Sequence, residues 1–401
     1  MSSFDQTRLN RIKGWMQGYV DARRYPGASV LVAQRGEEVF YHDCGLRDVA
    51  RGLPWQRDTV ARIYSMTKPI TSAALMILVE RAQIHLDQSI AKYIPGFKDA
   101  RCLIPGAADL SQTEPCLPPT LHQLLTHTSG VSYSFNPGVV PAAMHEGKLD
   151  FGPGQKTLAE MAEHHSTLPL AFRPGSQWEY SVGIDLIGRV IEVVSGKSFG
   201  TFLEEEIFGP LGMNETRFTV PDGVGDRFAC LYTPLAGDSF DLNAKEKSDE
   251  TLRQTDDAEN SPYLNTKMDS GGGGLVGTID DYMKFSEMMR TGGKGILSPH
   301  TLRFMMNNHL AGDIASMGPQ SFAEQPMDGM GFGIGGAVVL DPSRARVPGS
   351  VGDFSWGGMA STFFWIDPVH ELSVLFFTQL APSSSYPSRS QLKALIQGAL
   401  M

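Results

Sequence analysis

The stretch Arg62-Ile63-Tyr64-Ser65-Met66-Thr67-Lys68-Pro69-Ile70 opens a run that stays apolar at helical spacing through Ile70, Ala73, Ala74, Ile77 and Leu78. A helix with so few polar positions can only be a central one, packed on most of its sides. The fold must therefore be built around it. Ser65 and Lys68 stand three residues apart, one turn from each other on the same face. Ser65 falls near the helix N-terminus, where free backbone N–H groups and the helix dipole favour developing negative charge. Burying an ammonium there costs hydration energy and favours the proton-accepting amine. A Ser-x-x-Lys in this setting supplies a nucleophile and a neighbouring base. Pro69 fits the first turn, where a missing N–H costs little.

The 401 residues are 41% apolar and 19% charged, enough for a large core divided into two lobes. The net charge of −10 and the lack of any Lys/Arg cluster exclude nucleic acid as a partner. No stretch approaches a transmembrane span, so no membrane partner is expected. Met1 to Asp5 shows no basic segment leading into an apolar one, which points to a cytoplasmic protein. Cys44, Cys102, Cys116 and Cys230 are scattered and are expected as free thiols. No Cys-x-x-Cys or His-x-x-x-His spacing calls for a metal, and no cofactor is expected.

Along the chain, Leu9, Ile12, Met16 and Tyr19 mark an amphipathic helix. Residues 28–34 and 38–44 form a hairpin around Arg35-Gly36. Helices are expected at 121–125, 184–194, 202–208 and 279–289, the last capped by Thr278 with Asp281 completing a capping box. The polar stretch 237–267 reads as a loop-rich segment over one face. Strands return at 332–340, 361–366 and 372–379, and a final helix covers 390–400. Strands at both ends around a helical middle predict an α/β (α+β) fold. Residues 1–85 and 325–401 would form a lobe with an antiparallel sheet between terminal helices, and 86–324 a mostly helical inserted lobe.

Several further motifs occur in a fixed order. Leu124-Leu125-Thr126-His127-Thr128-Ser129-Gly130 is followed by Pro174-Gly175 with Tyr180-Ser181, Pro210-Leu211-Gly212-Met213, the Gly271–Gly274 run, and Trp356-Gly357-Gly358. With Ser65-Met66-Thr67-Lys68 ahead of them, the set resembles the serine β-lactamase and penicillin-binding-protein superfamily. Within it the chain is most similar to family VIII carboxylesterases, relatives of class C β-lactamases. The resemblance implies a β-lactamase/DD-peptidase-like fold and an acyl-enzyme on Ser65, with Lys68 as neighbouring base and Tyr180 as the second base. It also implies an oxyanion hole from the backbone N–H groups of Ser65 and Met359. Trp356, Gly357 and Gly358 would border the substrate, the glycines letting an ester approach the strand closely. Tyr133 and Ser134 are candidate pocket residues.

Two departures shape the expected substrate. Tyr180-Ser181-Val182 stands where penicillin-processing members carry Tyr-x-Asn, and Trp356-Gly357-Gly358 where they carry Lys-Thr-Gly. An amide and a cation are thereby lost, which favours uncharged small-molecule esters with short-to-medium acyl groups over anionic peptides and lactams. Acyl transfer to a small acceptor, β-lactam or D-amino-acid peptide hydrolysis, and a sensor that acylates and stalls are the competing readings. Among rival motifs, Gly196-Lys197-Ser198-Phe199-Gly200 matches a nucleophile elbow but follows a helix, with Gly196 as its C-cap. Ser134-Phe135-Asn136 and Tyr263-Leu264-Asn265 lack the context of Tyr180. The Gly271–Gly274 run reads as a tight loop and His127 as a local structural residue.

Overall fold

Side-chain alternation along the strands decides the architecture. In the computed structural model, which describes residues 4–240 and 246–401, strand β1 (Gly27–Gln34) sends Val30 and Val32 to one core and Leu31 to another. Strand β8 (Leu372–Thr378) divides Val374 and Phe376 from Leu375 and Phe377 in the same way. Both faces of the sheet are therefore covered. Between these two lie β2 (Glu37–Asp48), β3 (Leu53–Pro54), β4 (Met330–Phe332), β5 (Ala337–Val339), β6 (Phe354–Gly357) and β7 (Phe363–Asp367). All eight join one antiparallel sheet in the order β4-β5-β6-β7-β8-β1-β2-β3. The first and last thirds of the chain meet where β1 pairs with β8, Leu31 opposite Leu375.

One face carries helix α1 (Arg11–Asp21) and the final helix α6 (Ser388–Gln397), which contribute Ile12, Met16, Leu392 and Ile396. The other carries helix α2 (Thr67–Glu80), in which every residue from Thr67 to Leu78 is buried, and α5 (Ile279–Arg290). Helices α3 (Leu121–Leu125) and α4 (Gly183–Ser195) pack around α2 away from the sheet. The fold is the expected antiparallel sheet with helices on both sides.

Local details differ from the sequence expectation for identifiable reasons. Residues 332–340 form two strands, because Gly335, at φ +88°, reverses the chain between β4 and β5. Thr278 caps α5 through the Asp281 N–H, but the Asp281 carboxylate does not close the box. It accepts instead from Glu215 N–H at 2.8 Å and from Lys284 Nζ at 2.8 Å. Residues 202–208 divide into the end of an α-helix and a π-turn, Glu204–Phe208. Of the expected loop segment 237–267, residues 241–245 lie outside the described residues, as do Met1, Ser2 and Ser3. The described part contains Arg253–Asp256, a strand pairing with Leu231–Thr233. All four cysteines are free thiols. No helix among the described residues is long and apolar enough to cross a membrane.

Candidate active site

Ser65 sits in a single 3₁₀ turn, Tyr64–Met66, that feeds directly into α2. Tyr64 adopts φ +42°, a left-handed conformation that costs a bulky residue about 1–3 kcal/mol and persists only where the surroundings enforce it. They do so from two sides. Tyr282 Oη donates to the Met66 carbonyl at 2.9 Å, and Tyr64 packs edge-on against Tyr263.

Lys68 is completely buried, and its Nζ has three acceptors. It donates to Gly272 O at 2.6 Å, Tyr133 Oη at 2.8 Å and Ser65 Oγ at 3.3 Å. An ammonium has three hydrogens, so every donor is used. A buried charge also requires a counter-charge, and Asp185 in the first turn of α4 supplies it. Its Oδ1 accepts from Ser270 Oγ at 2.6 Å and Gly272 N–H at 2.8 Å. Burial pushes the Asp185 carboxyl up to about 6, against the opposing pull of Lys68. Gly272 thus bridges the two charges, its N–H on the carboxylate and its C=O on the ammonium. The glycine run is a tight turn, as its composition suggests, and it also forms one wall of the lysine site.

Two tyrosines flank the lysine. Tyr133 makes the direct hydrogen bond, whereas the Tyr180 ring lies with its centroid 4.6 Å from Nζ. Burial, then the negative charge of Asp185, raise the Tyr133 phenol well above its ordinary range, so it stays protonated. Tyr180 Oη accepts from Trp356 Nε1 at 3.3 Å. The Tyr180 ring is boxed by Trp356, His127 and Phe322, with centroids 5.3, 4.8 and 4.9 Å away. Its backbone carbonyl accepts from Asn136 Nδ2 at 2.8 Å. His127 is buried, with Nδ1 accepting from Ser181 N–H at 3.2 Å. Burial and the nearby Lys68 charge hold its imidazole well below its usual range, so it is a neutral support for the Tyr180 ring.

Gly358 is required by packing more than by approach of a ligand, and Gly357 leaves room for the Arg389 side chain. A Cβ on Gly358 would lie 2.3 Å from Ile63 O, and one on Gly357 would lie 2.4 Å from Arg389 Nη2. The glycines let β6 close against the chain just before Ser65 and bring Met359, in the turn after the strand, beside the hydroxyl.

Two cavities meet at this point. A narrow one of about 90 Å³ runs beneath Trp356 and Phe322, and a wide cleft of about 980 Å³ opens past Tyr133, Phe135 and Phe151. Ser65, Tyr180 and Met359 line both. Trp356, Gly357 and Gly358 line only the narrow one, Tyr133 and Ser134 only the wide one. Ser134 is turned to the cleft wall, where its Oγ bonds Asp150. Val182 is fully buried and lines neither cavity. Ser198 of the rival Gly-x-Ser-x-Gly is an exposed cap on a short helix, behind Gly196 as the C-cap of α4, and lines neither cavity. The described part of segment 237–267 forms cleft wall through Phe240, Asp256 and Tyr263.

Sequence reasoning passed over Asp185, Ser270 and Phe322. Asp185 did leave a trace, as the one acid in the apolar run Ile184-Asp185-Leu186-Ile187.

Known proteins share this arrangement of elements along nearly their whole length. The chain is similar to Protein Rv1367c of Mycobacterium tuberculosis, at 34% identity over 91% of this chain and 88% of that protein. It is 32% identical to Esterase EstB of Burkholderia gladioli over 90% of this chain and 87% of EstB. Among solved structures it superposes on EstCE1, a hydrolase with promiscuous acyltransferase activity, with TM-score 0.78 and 28% identity, covering 98% of this chain and 99% of that one. The Beta-lactamase family model spans residues 12–398, from α1 to past the end of α6, and the chain belongs to that family, as a serine hydrolase most like its family VIII carboxylesterases.

Proposed function

We propose that the protein is a serine carboxylesterase working through an acyl-enzyme on Ser65. The observation that carries this reading is the Ser65 hydroxyl, 3.3 Å from a fully buried Lys68 ammonium, at the one point shared by a narrow and a wide cavity. Relatives named as esterases support the same class of chemistry. Ser65 Oγ attacks the ester carbonyl, and its proton passes by way of Tyr180 to the departing alcohol as the ester C–O bond breaks. In this reading Lys68 acts as a cation, not as the neighbouring base that the resemblance implies, and its charge favours the anionic form of the oxygen that has lost its proton. The backbone N–H groups of Ser65 and Met359 receive the oxyanion. Water then enters from the wide cleft and releases the acid.

The order of events assigns the cavities. The alcohol must leave before water can attack, so it occupies the wide, open cleft. The acyl group stays covalently attached and occupies the narrow pocket. The walls of that pocket near Ser65, Trp356 and Phe322 with Met327 and Met330, are apolar. Its two cations, Arg389 and Lys393, are already paired with Glu324 and Asp353. An uncharged, short acyl group fits these walls, and an anionic one meets no available cation. Acyl transfer is a second outcome of the same intermediate, supported by the volume of the wide cleft and by the transfer activity of EstCE1.

A panel of p-nitrophenyl acetate, butyrate and octanoate, run beside nitrocefin, tests this reading. Acetate or butyrate should give the highest kcat/KM, with nitrocefin at least about a hundredfold slower. A nitrocefin rate equal to the best ester would overturn it. Added short alcohols should divert part of the acyl group into new ester.

The pH dependence follows from Asp185. Its carboxyl, raised to about 6, gains a proton as pH falls through that value. The Lys68 counter-charge is then lost, and the grip on Gly272 N–H loosens. Ester turnover should therefore show an acid limb centred near 6. Asp185→Asn, which keeps the acceptor oxygen and removes the titration, should flatten that limb in a pH profile of kcat/KM.

A further inference from the structure

We propose that the Glu324–Arg389 ion pair is a specificity latch, fastening a small hairpin over the narrow pocket and thereby setting the longest acyl chain the enzyme accepts. This inference rests on the assignment of that pocket to the acyl group.

The hairpin pairs Ser321–Phe322 with Gln325–Pro326 and turns at Ala323-Glu324, Ala323 at φ +53°. It is a two-stranded sheet separate from the main one. An isolated two-stranded hairpin is marginal in water and needs an outside attachment to hold one position. Its base is attached through Met327 N–H to Gln320 O and Gln320 Nε2 to Ala315 O, both local contacts. Its tip is held by the packing of Phe322 against the pocket rings and by one ion pair, that of Glu324. Both carboxylate oxygens accept from Arg389 Nη1 at 2.8 Å, and the two side chains are only 9% and 13% exposed.

Arg389 belongs to α6, on the opposite side of the sheet from Trp356. Its guanidinium passes directly over Gly357, in the space a Cβ there would occupy, and lies 5.7 Å from the Phe363 ring. The ion pair therefore clips the hairpin around the end of β6, the strand that brings Met359 to Ser65. A buried ion pair adds little net stability over apolar packing, yet breaking one partner leaves a buried charge uncompensated. Such a pair is suited to holding an element in one place.

The held element carries the pocket roof. Phe322 stacks on Trp356 with planes 12° apart and centroids at 5.9 Å, and it touches Tyr180 at 4.9 Å. Phe322, Gln325 and Pro326 all line the narrow pocket. With the latch closed the space is about 90 Å³, well under the roughly 300 Å³ at which drug-sized sites begin. With the latch released, the roof can lift and a longer chain can enter.

The test compares p-nitrophenyl butyrate with octanoate in the full-length protein, its Glu324→Gln, Arg389→Lys and Phe322→Ala variants, the Glu324→Gln/Phe322→Ala double variant, and Ser65→Ala. The octanoate-to-butyrate ratio of kcat/KM should rise about tenfold in Glu324→Gln and Phe322→Ala, and by a smaller step in Arg389→Lys. The double variant should gain no more than Phe322→Ala alone, because both changes act through one roof. A general loss of structure would lower both substrates together and leave the ratio in place. An unchanged ratio in Phe322→Ala, or a shift there without one in either latch variant, overturns the proposal. If instead Ser65→Ala retains activity, the acyl-enzyme reading itself has failed, a result separate from the behaviour of the ratio.

Discussion

Ser65→Ala is expected to lower kcat/KM for p-nitrophenyl butyrate by at least about a thousandfold, because the nucleophile has no substitute in the site. Ser134, another hydroxyl on the cleft wall, is engaged with Asp150, and Ser270 is committed to Asp185. The loss should be in chemistry and not in folding. Ser65 Oγ contributes one long hydrogen bond at 3.3 Å, and the turn that holds it is fixed by Tyr282 and by Tyr64 packing. A thermal melt within a few degrees of the parent should accompany the dead variant. Retention of more than about a tenth of the activity would remove Ser65 from the mechanism.

Tyr180→Phe is expected to cost about a hundred- to ten-thousandfold in kcat, the range for removing a positioned proton-transfer group. Tyr133→Phe should cost about tenfold. The comparison is informative because Tyr133 has the shorter link to Lys68, 2.8 Å, and on distance alone would be the better candidate. Its environment argues the other way. Burial and Asp185 hold it as a neutral phenol, so its part is to accept one of the lysine hydrogens and orient the ammonium. Tyr180 lines both cavities with Ser65 and receives the Trp356 N–H, a donor suited to a developing phenolate. The reverse order of losses in single-turnover measurements would transfer the base role to Tyr133.

The parts of this site that were legible in the sequence are those carried by local pattern. Ser65 and Lys68 share a helix face, and the apolar run behind them announces burial. Trp356-Gly357-Gly358 and Tyr180-Ser181 stand out by position in an ordered series. What could not be read is convergence. Lys68, Tyr133, Asp185 and Gly272 come from four separated segments, and no periodicity says that they touch. The glycines of β6 show the same limit from another side. Their presence suggests room for an ester to approach the strand, but the close neighbours are Ile63 and Arg389 of the last helix. Phe322 was invisible because its two-residue strands are too short to leave an alternating pattern. At Asp281, local chemistry predicted a capping partner and a tertiary one, Glu215 N–H, took the carboxylate instead.

The pairing of β1 with β8 has a bearing on how the molecule is made. Strand partners more than three hundred positions apart (Leu31 with Leu375) meet late, since closing such a loop must precede the contacts that reward it. As the polypeptide emerges from the ribosome, β1 keeps an apolar unpaired edge until the last strands arrive, a surface that chaperones would need to shield. Met359 and the Trp356 indole travel with those same late strands. Maturation of the proposed hydrolytic centre is thereby coupled to completion of the sheet, and a nascent chain carries Ser65 long before the rest of that site is in place.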